Sequence, residues 1–230
     1  MRSARPGRRR VERGGGFTMV ELLIAMLLML LVSSALVGLV VPARRAFEAQ
    51  LETSDAHQRL RVAIEAVTAD LRLAGAGLPA GAPPAVMPYR IGRLDSDPDA
   101  GVFYRAGVIS AIYVDSRDGE PVSRSYYLRT DRATSTPQLM RYDGLETDLP
   151  VVDRVVAFEL TYFDEGGTPT DPAALQDGPW LTSEPDVGMF DADLLRVRRV
   201  RVRLRVEAAR DRPAYELQSD VALRNAAAGE

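Results

Sequence analysis

One carboxylate in this chain stands where a carboxylate is costly. Glu21 directly precedes Leu22–Val41, a run of 20 residues without a charge, so it lies at or inside the edge of any bilayer that the run crosses. Insertion scales place an acidic residue at about 2.5–3.5 kcal/mol at a helix centre and less toward the ends, and such a residue calls for a function and a partner. In the local sequence a partner arises after a cut between Gly16 and Phe17, which frees an α-amino group and makes Glu21 the fifth residue of the shortened chain. The carboxylate of one copy beside the amine of a neighbour is a charge-assisted contact in a low-dielectric setting. The chemistry implied is processing of this chain followed by docking.

A second set of charged residues lies near the other end. In Arg199-Val200-Arg201-Val202-Arg203-Leu204-Arg205-Val206 the period of two puts every apolar side chain on one face of a strand and every arginine on the other. With Arg196 and Arg198 these arginines form a cationic stripe suited to an acidic partner, a polysaccharide or DNA. The alternative, favoured here, is a solvated outer face whose charges are offset by Glu159, Asp153 and Glu216 on adjacent strands. Arg199, Arg201, Arg203 and Arg205 remain the best surface candidate for a subunit contact.

Other chemistry finds little purchase. Asp95-Ser96-Asp97-Pro98-Asp99 has the oxygen spacing that opens a calcium loop, but Ala100 stands where the turn glycine belongs and Ala106 where a bidentate glutamate is required. A solvated acidic turn is expected there, and no metal or other cofactor. The single histidine, His57, falls on a helix beside Asp55 and Gln58, in a chain without cysteine, and no serine sits in a nucleophile elbow. The expectation is that the chain is not an enzyme.

The elements that must position Glu21 are legible upstream and downstream. Residues 1–16 carry six arginines against the lone acid Glu12, for +5, so the positive-inside rule keeps the N-terminus cytoplasmic and sends the remainder outward. Twenty residues at 1.5 Å each reach roughly 30 Å, the thickness of a hydrocarbon core. An ordinary signal peptide, with Val41-Pro42-Ala43 as its cleavage site, would have a shorter apolar region and no glutamate at its head. A plain uncleaved anchor explains length and orientation but neither the Gly-Phe junction nor Glu21. Beyond Pro42 no further glycine or proline intervenes from Ala43 to Ala74, and Leu60, Ile64, Val67, Leu71 and Ala74 recur at helical spacing. Arg59, Arg61, Glu65 and Asp70 fall largely off that stripe. Gly75-Ala76-Gly77 and Pro79 then stop the helix.

Gly16-Phe17-Thr18-Met19-Val20-Glu21-Leu22-Leu23, after a basic leader and before an uncharged span, resembles the processing signature of type IV prepilins and type II secretion pseudopilins. The resemblance implies cleavage after Gly16 by a membrane aspartyl peptidase, methylation of the new N-terminal Phe17, and docking of Glu21 onto a neighbour's amine. Glycine at three successive positions, 14–16, is a mild departure. The parts expected are a leader over 1–16, a transmembrane segment over 17–41, an amphipathic helical segment over 42–74 and an extracytoplasmic head over 75–230.

The net charge of −3 conceals an asymmetry, since the residues after the leader carry −8. An acidic head argues against nucleic acid as a partner, and without cysteine its core must hold unaided. Residues 75–101 are rich in Gly, Pro and Ala and read as a connector without regular structure. Strands are expected over Val108–Val114, Tyr126–Arg129, Gln138–Tyr142, Val155–Tyr162, Val197–Val206 and Tyr215–Leu223, with tight turns at Asp118-Gly119, Asp143-Gly144 and Glu165-Gly166-Gly167. The head is expected to be a meander of antiparallel strands, giving an α+β, pilin-like fold. Residues 164–193 read as a long loop whose Trp180 tucks an apolar patch against the head.

Val67–Gly75, Val155–Tyr162, Val200–Val206 and Leu223-Arg224-Asn225 together resemble minor pilins and J-type minor pseudopilins. The implied function is initiation of assembly at the tip of a type IV pilus or a type II secretion pseudopilus. Implied partners are a prepilin peptidase, other minor subunits, the major subunit, an inner-membrane assembly platform and lipid. The competing reading is a membrane-anchored or pilus-tip binding module, an adhesin or DNA-uptake pilin, that uses the arginine strand.

Overall fold

A computed structural model describes residues 16–79, 82–92, 97, 101–115, 119–145, 147–183, 188–209 and 213–224. The basic leader, most of the acidic stretch 95–99, Asp118 and Asn225 lie outside the described residues. The chain divides into two compact units, Met1–Gln50 and Leu51–Glu230. One helix, α1 (Met19–Leu73), contributes to both.

In the first unit α1 carries an apolar surface with no core behind it: from Phe17 to Val41 every large apolar side chain is exposed. Stacked side chains of this kind are stable only in an apolar surrounding, and the helix is long and apolar enough to cross a membrane. Pro42 is absorbed within α1.

In the second unit the remainder of α1 is amphipathic. Ala56, Leu60, Ala63, Ile64, Val67 and Leu71 are buried at three- and four-residue spacing and pack on two antiparallel sheets. The first sheet has the order β1-β2-β3-β4-β5, with β1 Val86–Met87, β2 Val108–Val114, β3 Pro121–Thr130, β4 Pro137–Tyr142 and β5 Asp148–Asp153. It contributes Val86, Met87, Ile109, Ala111, Tyr126 and Leu139 to the core. The second has the order β10-β9-β6, with β6 Val155–Phe163, β9 Arg199–Glu207 and β10 Ala214–Ala222, and contributes Phe158, Val200, Val202, Leu204, Val206 and Val221. A separate ribbon pairs β7 (Trp180–Ser183) with β8 (Gly188–Asp191). The fold is α+β, a long N-terminal helix packed against antiparallel sheets.

Several expectations change in detail. The head is a meander only through β5; β6, β9 and β10 form their own sheet. Strand β5 carries Pro150 and pairs only with β4, as an edge strand can, because a proline costs no ladder bond on its open side. Strand β1 lies within the Gly/Pro-rich connector, where pairing with Ala111 and Ser110 of β2 fixes a segment that lacks any local signal. The stretch 164–193 is not structureless: it holds β7, β8 and two 3-10 turns, Pro172–Leu175 and Ala192–Arg196. Trp180 packs its ring on Phe103 at 5.3 Å yet stays 40% exposed.

Asp70 is the largest departure from the helical stripe. Expected on the solvated side of α1, it is buried, and it accepts hydrogen bonds from the hydroxyls of Tyr126 (2.6 Å, to Oδ2) and Tyr113 (3.1 Å, to Oδ1). Arg141 Nη2 lies 3.0 Å from Oδ2. These partners come from β2, β3 and β4, so one carboxylate ties the helix to three strands. Arg59, also expected off the stripe, is mostly covered and is paired with Asp55 and, at 3.3 Å, with Asp153.

The tyrosines around this sheet make alkaline pH a selective stress. Burial, and then the hydrogen bond to Asp148, push Tyr127 up to about 12, and burial raises Tyr113, Tyr126 and Tyr162 as well. An unfolded tyrosine ionises near pH 10, so above that value the unfolded chain binds fewer protons than the folded one and stability falls with rising pH. The contribution of Tyr127 is present in full below about pH 10 and lost as pH climbs through about 12. Thermal unfolding followed by circular dichroism should show this decline, with a shallower slope in Tyr127→Phe. Equal slopes would refute the assignment.

Candidate functional site

The processing candidates stand together at the head of α1. Gly16 and Phe17 precede the first helical turn, and Phe17 is 88% exposed. A Cβ built on Gly16 would meet no atom of the described residues within 4 Å. Packing among the described residues therefore places no demand for glycine at position 16.

Glu21 has a local partner that cleavage is not needed to create. The Thr18 backbone N–H and hydroxyl both donate to its Oε2, at 2.9 and 3.0 Å, and the Glu21 N–H donates back to Thr18 Oγ1 at 3.2 Å. This reciprocal pair is a capping box, which satisfies backbone donors that the first turn leaves without helical partners. The Thr-x-x-Glu spacing just before an apolar run is its sequence signature, and it marks Thr18 as a residue the docking argument had passed over. Glu21 thus has a capping role besides any docking role, and only the second requires another subunit.

The arginine ladder occupies the outer face of β9, where Val200, Val202, Leu204 and Val206 fill the core side. Its charges are largely met within the sheet. Arg201 makes a bidentate pair with Asp220 (2.8 and 2.9 Å), and Arg203 reaches Glu216 at 2.7 Å and Glu159 at 3.3 Å. The hydrogen-bonded Arg201 guanidinium, with Arg199 nearby, holds Asp220 below the usual carboxylate range. Two of the expected counter-charges, Glu159 and Glu216, are in place; Asp153 is engaged by Arg59 instead, and Asp220 takes the third position. Arg196 pairs with Asp193, Arg198 donates to the Leu195 and Val197 carbonyls, and Arg205 is exposed.

Two further polar residues make tertiary contacts. His57 lies on Tyr215 of β10 with ring centroids 4.7 Å apart, and the Tyr215 hydroxyl is 3.0 Å from Thr53 Oγ1, so they help seat the helix on that strand. Asp97, from the acidic stretch 95–99, is 2.6 Å from Arg90.

A long N-terminal apolar helix whose second half packs on antiparallel sheets is a pilin-like layout. No protein-family model matches the chain, and no curated protein matches it.

Proposed function

We propose that this chain is a minor pilin or minor pseudopilin subunit that primes a filament tip of a type IV pilus or a type II secretion system. Before assembly it is a single-pass inner-membrane protein with its head outside the cytoplasm. A prepilin peptidase cuts it after Gly16 and methylates Phe17. It then leaves the membrane for the pilus or pseudopilus alongside other minor subunits and the major subunit, on an inner-membrane platform. Its role is structural and not enzymatic. The observation that carries this reading is the junction itself: an exposed Gly16-Phe17 bond, unencumbered by packing, two residues before a membrane-length helix headed by Glu21. A plain anchor has no use for that arrangement.

A binding module working through the whole ladder is the lesser reading, because Arg201 and Arg203 already spend their charge on Asp220, Glu216 and Glu159.

Intact-mass and N-terminal peptide analysis after co-expression with a prepilin peptidase tests the proposal. The expected product begins at Phe17 and carries one added methyl group, and Gly16→Ala leaves the precursor uncut. A chain that still begins in the arginine-rich leader, or one that begins near Arg44, would overturn it.

A further inference from the structure

We infer that Arg199, held flat on Phe163 at the start of β9, is a seat for one carboxylate group. The inference stands apart from processing at Gly16 and concerns a single position on the head.

Arg199 differs from the rest of the ladder in how it is held. Its guanidinium carbon lies 4.3 Å from the centroid of the Phe163 ring, directly across the register from it, and Arg201 covers the same ring at 5.0 Å. Its Nε is buried without a hydrogen-bond partner. Among the described residues no ion pair or hydrogen bond engages the Arg199 side chain, although those of its neighbours Arg196, Arg198, Arg201 and Arg203 each have one. Asp220 is near enough for Arg199 to help hold it below the usual carboxylate range, but both its oxygens are on Arg201. A half-buried guanidinium that gives up hydration without a partner is a departure from the usual satisfaction of buried donors. Arg205, opposite Glu216 in the register, also makes no ion pair among the described residues, but it is exposed and needs none beyond water.

The surroundings leave the seat open. The neighbouring turn presents glycine: a Cβ on Gly167 would stand 3.8 Å from Arg199 Nη2, and the absence of that side chain keeps one flank clear. Stacking fixes the plane of the guanidinium; with Nε covered, the two terminal nitrogens are the donors left for recognition, and a planar carboxylate matches that end with two parallel hydrogen bonds. A polyanion is a poor fit, because a strand of phosphates laid along β9 would run onto Asp220, Glu216 and Glu159. A single carboxylate on Arg199 stays clear of Glu216 and Glu159, which lie opposite Arg205 and Arg203, and of the three it approaches Asp220 alone, whose charge Arg201 offsets. Its source is either an acidic side chain of a protein partner or a free small carboxylate.

Nitrogen-15 spectra of the full chain in detergent micelles test this through the arginine Nε–H resonances, with Arg199 assigned by its loss in Arg199→Lys. Because this Nε is shielded, its proton should exchange slowly with water and be visible. Sodium acetate at constant ionic strength, against sodium chloride, should displace the Arg199 resonance saturably, in the millimolar range expected for about two charge-assisted hydrogen bonds. The Arg203 resonance should stay within the chloride control. An unmoved Arg199 resonance, or an equal displacement of all arginines, would overturn the inference. Hexaglutamate peptide separates the sources. Half-saturation about tenfold below acetate, beyond its carboxylate count, would assign the seat to a protein partner, and equal affinity per carboxylate to a free acid. Both of these outcomes require the seat.

Discussion

Replacing Asp70 with alanine is expected to destabilise the Leu51–Glu230 unit by about 3 kcal/mol, the low end for breaking a buried ion pair. The low end applies because Arg141 is 42% exposed and can recover hydration, whereas Asp70 cannot. Alanine leaves Tyr126, itself almost fully buried, without the acceptor it holds at 2.6 Å, and removes the anchor between α1 and strands β2, β3 and β4. Only the Ala66 carbonyl, 3.0 Å from the Tyr126 hydroxyl, remains to take that proton. Tyr126→Phe, which deletes one donor and keeps the ion pair, should cost about 1–2 kcal/mol. Urea unfolding of the full chain in mild detergent, followed by the fluorescence of Trp180, measures both. A midpoint for Asp70→Ala that matches wild type would show that the carboxylate is dispensable to the head. A double replacement whose loss is less than the sum of the singles would show that the two groups act as one unit.

The capping box at the head of α1 separates two roles that a simple alanine substitution would confuse. Glu21→Gln keeps an N3 side chain able to cap, since glutamine serves there as glutamate does, but it abolishes the charge that a neighbour's amine would meet. Thr18→Ala does the reverse: it removes the hydroxyl of the box and leaves the carboxylate. If Glu21 docks subunits, cross-linking to neighbouring pilins should fall about tenfold or more in Glu21→Gln, the effect of losing one charge-assisted contact in a low-dielectric setting, and change little in Thr18→Ala. Membrane insertion and cleavage after Gly16 should persist in both variants, because neither change adds polarity to the span. Should Thr18→Ala abolish cross-linking while Glu21→Gln leaves it intact, capping and not charge would be the function of Glu21. Unchanged cross-linking and filament output in both would leave the chain as a bare anchor.

What the sequence determined by itself is everything that rests on local pattern. The charge-free run after Glu21 is apolar on every side, and the stripe through Leu60, Ile64, Val67 and Leu71 and the strict alternation of Arg199–Val206 each bury one face, so the helix and β9 could be read directly. The turn at Asp143-Gly144 was equally legible, since Gly144 takes a positive φ of 86° that disfavours other residues. Even the capping box was present in the Thr18–Glu21 spacing. Only tertiary structure decided the rest, because it depends on pairings distant in sequence. Strand β1 exists through its ladder with β2, and β5 tolerates Pro150 because it has an edge. Polar Asp70 is buried because Tyr113, Tyr126 and Arg141 converge on it from 43, 56 and 71 residues away. The same holds for the ladder: period two placed its arginines on one face, but which of them found an acid was settled by the register of β6 and β10. That register set Arg201 opposite Asp220 and Arg203 opposite Glu159, let Arg203 reach Glu216 on the diagonal, and left Arg199 against the ring of Phe163.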